Sequence, residues 1–95
     1  MHSRIKSSGL KTSDSIIKNS QGYFYGFSLV KEVAGQVIGT LYDNPSSASG
    51  TVISKIVIEV GERAESMITI SPVWFKTGLF LDLSGTGAQA IVYFD

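Results

Sequence analysis

Between residues 78 and 94 the chain alternates almost without a break. Leu79, Leu81 and Leu83 are interleaved with Phe80, Asp82 and Ser84. After Gly85-Thr86-Gly87, the residues Ala88, Ala90, Val92 and Phe94 are interleaved with Gln89, Ile91 and Tyr93. A period of two puts every second side chain on one face of an extended strand and is incompatible with a helical apolar stripe. Glycines on both sides of Thr86 supply the positive φ angles of a tight reversal, so this segment is read as a β-hairpin. The glycines do not read as a phosphate loop, because a phosphate cradle opens into a helix N-terminus and this one opens into a strand.

The same pattern extends upstream. Gly9, Gly22, Gly35, Gly50, Gly61 and Gly78 divide the chain into short segments, the spacing of strands in a sandwich or barrel. Strands are expected over residues 5–8, 14–18, 23–30, 36–42, 51–60 and 67–71, the last running on through Pro72 to Phe75. Tyr23, Tyr25, Phe27 and Leu29 are assigned to one face, with Gly26 on the other marking a bulge or a close backbone approach. Val52, Ile56, Ile58 and Val60 are assigned inward, and Ile53, Lys55, Val57 and Glu59 outward. Asp43-Asn44-Pro45 opens the longest loop, with Asx-type turn chemistry. Ala34-Gly35 and residues 61–64 are read as turns, and Ile68 and Ile70 as inward. The one helical candidate, residues 62–67, lacks two turns of apolar spacing. The fold class expected is all-β, an antiparallel β-sandwich of about eight strands, jelly-roll-like. Ninety-five residues make a single domain, with residues 1–21 as an arm or edge strand. A domain of this size buries only about 60–65% of its unfolded surface, so self-association is a natural supplement to its stability.

Little in the chain points to catalysis. It has no cysteine and one histidine, His2, at the very N-terminus. A triad or a histidine metal site would have to use that residue. The carboxylates Asp43 and Asp82 are the best-placed pair for glycosidase chemistry, but their spacing does not make them converge. Asp82 reads more simply as a solubilising residue. Asp43 and Asn44 lack the further acidic donors of a calcium loop. No catalytic residue, cofactor or metal is expected, and the chain is not read as an enzyme. The net charge is zero, but Arg4, Lys6, Lys11 and Lys18 face only Asp14 in the first eighteen residues. These lysines suit the guarding of an edge strand. No aromatic interleaves with them, so nucleic acid is not the expected partner. No signal peptide and no membrane span are expected.

Only 17% of residues are charged and 43% are hydrophobic, against about 25% charged in an ordinary domain. Either a Ser/Thr/Gly-rich β surface or a surface covered by a partner produces this balance. Tyr25, Phe27, Phe75 and Phe94 are assigned to the core. Phe24, Phe80 and Tyr93 fall on the opposite strand faces, with Ile53, Val57 and Ile91. Together these six form a candidate protein–protein interface, with a second buried face as the competing reading. Trp74 with Tyr42, Asp43 and Asn44 forms a candidate platform for a sugar ligand.

Four stretches resemble a widespread class of small tailed-phage virion structural proteins. They are Leu41-Tyr42-Asp43-Asn44, residues 47–51 (SASGT), residues 75–88 (FKTGLFLDLSGTGA) and Ile91-Val92-Tyr93. The resemblance covers about residues 22–95. It implies a non-catalytic particle component: a capsid decoration, head–tail or tail-associated β-domain, made in the host cytoplasm and located in the virion. Its implied partners are copies of itself, with a trimer the expected order, and other virion proteins. A carbohydrate- or receptor-binding β-module is the alternative.

Overall fold

The computed structural model of the chain describes residues 5–31, 35–59 and 64–95, with residues 64–71 described by their backbone. His2, Arg4, Ala34 and the turn around Gly61 lie outside these residues, as does the inner face expected of Val60. The side chains of Ile68 and Ile70 are likewise outside the description. The described residues form eight strands and no helix: β1 (Lys6–Ser7), β2 (Ser15–Lys18), β3 (Gly22–Lys31), β4 (Val37–Asp43), β5 (Thr51–Ile58), β6 (Ala64–Phe75), β7 (Leu79–Ser84) and β8 (Ala88–Phe94). Two four-stranded sheets, in the orders β1-β8-β3-β6 and β2-β7-β4-β5, pack around one core. All pairings are antiparallel. β1 pairs with β8, β2 with β7, β3 with β6 and β4 with β5. That nesting is a long hairpin rolled over itself into two layers, the topology of an eight-stranded jelly roll.

The topology corrects the reading of residues 78–94. β7 pairs with β2 and β4, whereas β8 pairs with β1 and β3. The two strands therefore belong to different sheets, and Gly85-Thr86-Gly87 is an arch between layers instead of a hairpin turn. Gly85 and Gly87 do take positive φ, 103° and 78°. Gly85 also passes so close to β4 that a Cβ would lie 2.5 Å from the Gln36 carbonyl oxygen. Alternation was an accurate guide to strand and face: Leu79, Leu81, Ala88, Ala90 and Val92 are all buried. It could not give pairing, because two one-sided strands show the same pattern whether they lie side by side or stack face to face.

The core is filled by Phe24, Phe27 and Leu29 of β3, Val37 and Leu41 of β4, Ile56 and Ile58 of β5, Phe75 of β6, and the inward residues of β7 and β8. Phe24, expected outside, is fully buried. The cause is a bulge. Phe24 and Gly26 stand opposite the successive residues Phe94 and Tyr93 of β8, leaving Tyr25 as the extra residue. One added residue switches the parity of a strand, so Phe24 points inward before it and Phe27 and Leu29 after it. Gly26, with φ 152°, is where the backbone absorbs the change. Tyr25, assigned to the core by parity, is only half-buried.

Two further irregularities act in the same way. Tyr42 pairs with Val52 while Leu41 pairs with Ser54, so Ile53 is the extra residue of β5. Val52 is consequently exposed and Ile53 packs against the core, the reverse of the expected assignment. In β2 the register skips Ile17 between Ile16 and Lys18. Ile17 packs against the core and Ile16 stands outside.

Lys31 closes the inward series of β3 after Phe27 and Leu29, and it is only 4% exposed. Its Nζ donates to the Gly35 carbonyl at 2.5 Å and the Glu59 carbonyl at 2.6 Å. The aliphatic stem extends the core while the ammonium ties the end of one sheet to the other.

Candidate functional site

The six residues expected to form one interface patch are distributed over three environments. Phe24 lies in the core and Ile53 packs against its margin. Ile91 and Tyr93 pair with Ser28 and Gly26, and they alternate with the buried Ala90 and Val92 of β8. They therefore lie on the outside of the β1-β8-β3-β6 sheet. Phe80 and Val57 lie on the outside of the opposite sheet, where alternation with buried neighbours points both outward.

That second outer face has an ordered composition. Ile16 pairs with Phe80, Phe80 with Tyr42, and Tyr42 with Val52. These four residues form an apolar row crossing all four strands. Ile16 and Val52 at its ends are 53% and 50% exposed, and Phe80 and Tyr42 between them are half-buried. The next row is polar: Asp82 pairs with Thr40 and Thr40 with Lys55. The third holds Ser84, Ile38 and Val57. The contributions of Ile16 and Val52 depend on the two bulges just described and were not readable from parity.

Asp82 finds its acidic neighbour in Asp14. The Asp14 carboxylate accepts the Leu83 amide at 2.8 Å, which carries the residue preceding β2 to the side of β7. Burial, the charge of Asp14 and a side-chain hydrogen bond with it all hold the Asp82 carboxyl above its ordinary pKa. A bond between two carboxyls requires one to be protonated, so acid favours this pairing. Among the described residues no group of three or more His, Cys, Asp or Glu side chains is arranged to hold a metal ion.

Asp43 and Asn44 are engaged within the protein and do not join Trp74. Asp43 accepts the amides of Lys76 and Thr77 at 2.8 and 2.9 Å and the Thr77 hydroxyl at 3.0 Å. Burial alone would raise its pKa. The amides of Lys76, Thr77 and Gly78 and the Thr77 hydroxyl outweigh that effect and hold it below the ordinary value. Asn44 Oδ1 accepts the amides of Ser46 and Ser47, each at 2.9 Å, the Asx turn expected of this loop. Tyr42 belongs to the apolar row. Three of the four residues assigned to the ligand platform are thus committed elsewhere.

Trp74 instead pairs with Tyr23 across β3 and β6. The two residues are 52% and 45% exposed and line a cleft of about 310 Å³ with Lys18, Gln21, Gly22 and Asp95. Directly opposed residues of an antiparallel pair have Cβ atoms about 4.5–5.5 Å apart, close enough for both rings to present one surface. Tyr23 and Asp95 exchange backbone hydrogen bonds at 3.1 and 2.8 Å, fixing Asp95 beside the rings. Sequence spacing gives no hint of this grouping, since fifty residues separate Tyr23 from Trp74 and only the register joins them.

No protein-family model, curated protein or solved structure matches the chain.

Proposed function

We propose that the chain is a non-catalytic structural subunit of a phage particle, a capsid decoration, head–tail or tail component that assembles through the outside of its β2-β7-β4-β5 sheet. The observation that carries this reading is the row Ile16, Phe80, Tyr42 and Val52. A solvated sheet face ordinarily alternates polar residues outward. Here an apolar row spans the full width of the sheet, with half-exposed aliphatic residues at both ends, in a chain with a low charged fraction. Such a face gains by being covered, and a second copy of the chain offers a self-complementary partner. The resemblance of residues 41–44, 47–51, 75–88 and 91–93 to tailed-phage virion proteins supplies the setting, and the jelly roll is an architecture that capsid subunits use.

The reading is tested by composition. Quantitative mass spectrometry of particles purified from the source of this chain is expected to find it at many copies per particle. Its confinement to the soluble fraction, with none in the particles, would remove the reading.

A further inference from the structure

From the cleft between β2, β3 and β6 we infer a saccharide-binding site that takes a neutral sugar residue, with Tyr23 and Trp74 as its stacking surface. The inference is independent of assembly, since the cleft involves none of the four residues of the apolar row.

Three observations support it. Two aromatic side chains lie paired and about half-exposed on one side of the sheet. The weakly polar C–H faces of a pyranose pack against such rings, while the tyrosine hydroxyl and indole N–H remain available for hydrogen bonds. The rim is polar and mixed in charge: Lys18 supplies an ammonium donor, Asp95 carboxylate acceptors, and Gln21 both a donor and an acceptor. One cation balanced by one anion suits uncharged hydroxyls and offers no net attraction to a phosphate backbone. The wall at Gly22 is closely packed. A Cβ at Gly22 would stand 2.2 Å from the Asp95 carbonyl oxygen, 2.8 Å from the Phe75 ring and 2.9 Å from Lys18 Nζ. Only glycine fits between these neighbours, and the cleft they border, of about 310 Å³, lies at the small end of ligand sites.

Trp74 is the one tryptophan of the chain, so its fluorescence reports on the site without labelling. The full chain would be titrated with a panel of neutral oligosaccharides built on glucose, galactose, mannose and N-acetylglucosamine, beside sialylated and sulfated chains. A saturable blue shift with at least one neutral sugar is expected. Tyr23→Ala and Gln21→Ala should each weaken binding by about tenfold while leaving the melting temperature close to that of the wild type. Trp74→Ala should abolish binding, read by calorimetry in place of fluorescence. The variant Ile16→Asp/Val52→Asp, substituted in the apolar row of the other sheet, should bind as the wild type does. Lack of response to every neutral sugar at millimolar concentration, binding confined to anionic chains, or binding unchanged by Tyr23→Ala would each overturn the inference.

Discussion

Phe24 and Phe27 stand an odd number of positions apart on one strand, yet both are fully buried, with ring centroids 6.1 Å apart and planes tilted by 58°. A regular strand would put them on opposite faces. The bulge between them, with Gly26 at φ 152°, lets β3 contribute both rings to the core. A side chain at Gly26 would be held in a backbone region that non-glycine residues rarely adopt. Gly26→Ala is therefore expected to lower stability by about 1–3 kcal/mol, measured by urea unfolding.

The clamp formed by Asp43 gives a second prediction. Its carboxylate gathers two amides and a hydroxyl from Lys76 and Thr77, joining the end of β4 to the turn before β7. These bonds lie at the surface, so Asp43→Ala should cost about 1–2 kcal/mol near neutral pH. The Asp43 pKa is held below its ordinary value of 3.8. The associated stability is fully present above 3.8 and is lost as pH falls through the lowered value of the folded state. Asp43→Asn should accordingly be less stable than the wild type at pH 7, and the two curves should converge in acid.

Asp82 has the opposite sign. Its pKa is raised from 3.8 by burial and by Asp14, so the fold binds its proton more tightly than the unfolded chain does. That contribution is present below 3.8 and is lost as pH rises through the raised value. Asp82→Asn, which removes one of the two facing charges and can still donate to Asp14, should be more stable than the wild type at pH 7. It should also lack the corresponding loss of stability just above pH 3.8. Chemical unfolding of both proteins across pH 3–7 checks the sign.

Lys31 gives a fourth prediction. Its buried ammonium is the donor shared by the Gly35 and Glu59 carbonyls. Lys31→Met keeps the apolar stem and removes the donor, with an expected loss of about 1–3 kcal/mol. Lys31→Glu sets a carboxylate against two carbonyl oxygens and should prevent folding. Circular dichroism melting separates the two outcomes.

Strand identity and most inward faces were legible in the sequence, because apolar alternation is a local signal. Leu79, Leu81, Ala88, Ala90 and Val92 lie where that signal puts them. Phe24, Val52 and Ile53 do not, since a single extra residue in a strand reverses every later face and leaves almost no mark in composition. Gly26 was the one visible sign of such a change. Pairing was less legible still. The stacked placement of β7 and β8, the approach of Asp14 to Asp82 and the meeting of Tyr23 with Trp74 are all fixed by partners distant in the chain. Lys31 was within reach of the sequence, because it continues the inward parity of Phe27 and Leu29.

The apolar row on the β2-β7-β4-β5 sheet is tested most directly by sedimentation velocity of the wild type beside Ile16→Asp/Val52→Asp. Both substituted side chains are about half exposed, so the variant should keep the wild-type circular dichroism spectrum and melt as one domain. The wild type should sediment as a discrete oligomer at micromolar concentration and the variant as a monomer. A wild type that remains strictly monomeric as its concentration is raised, or an oligomer unaffected by the two charges, would contradict assembly through this face.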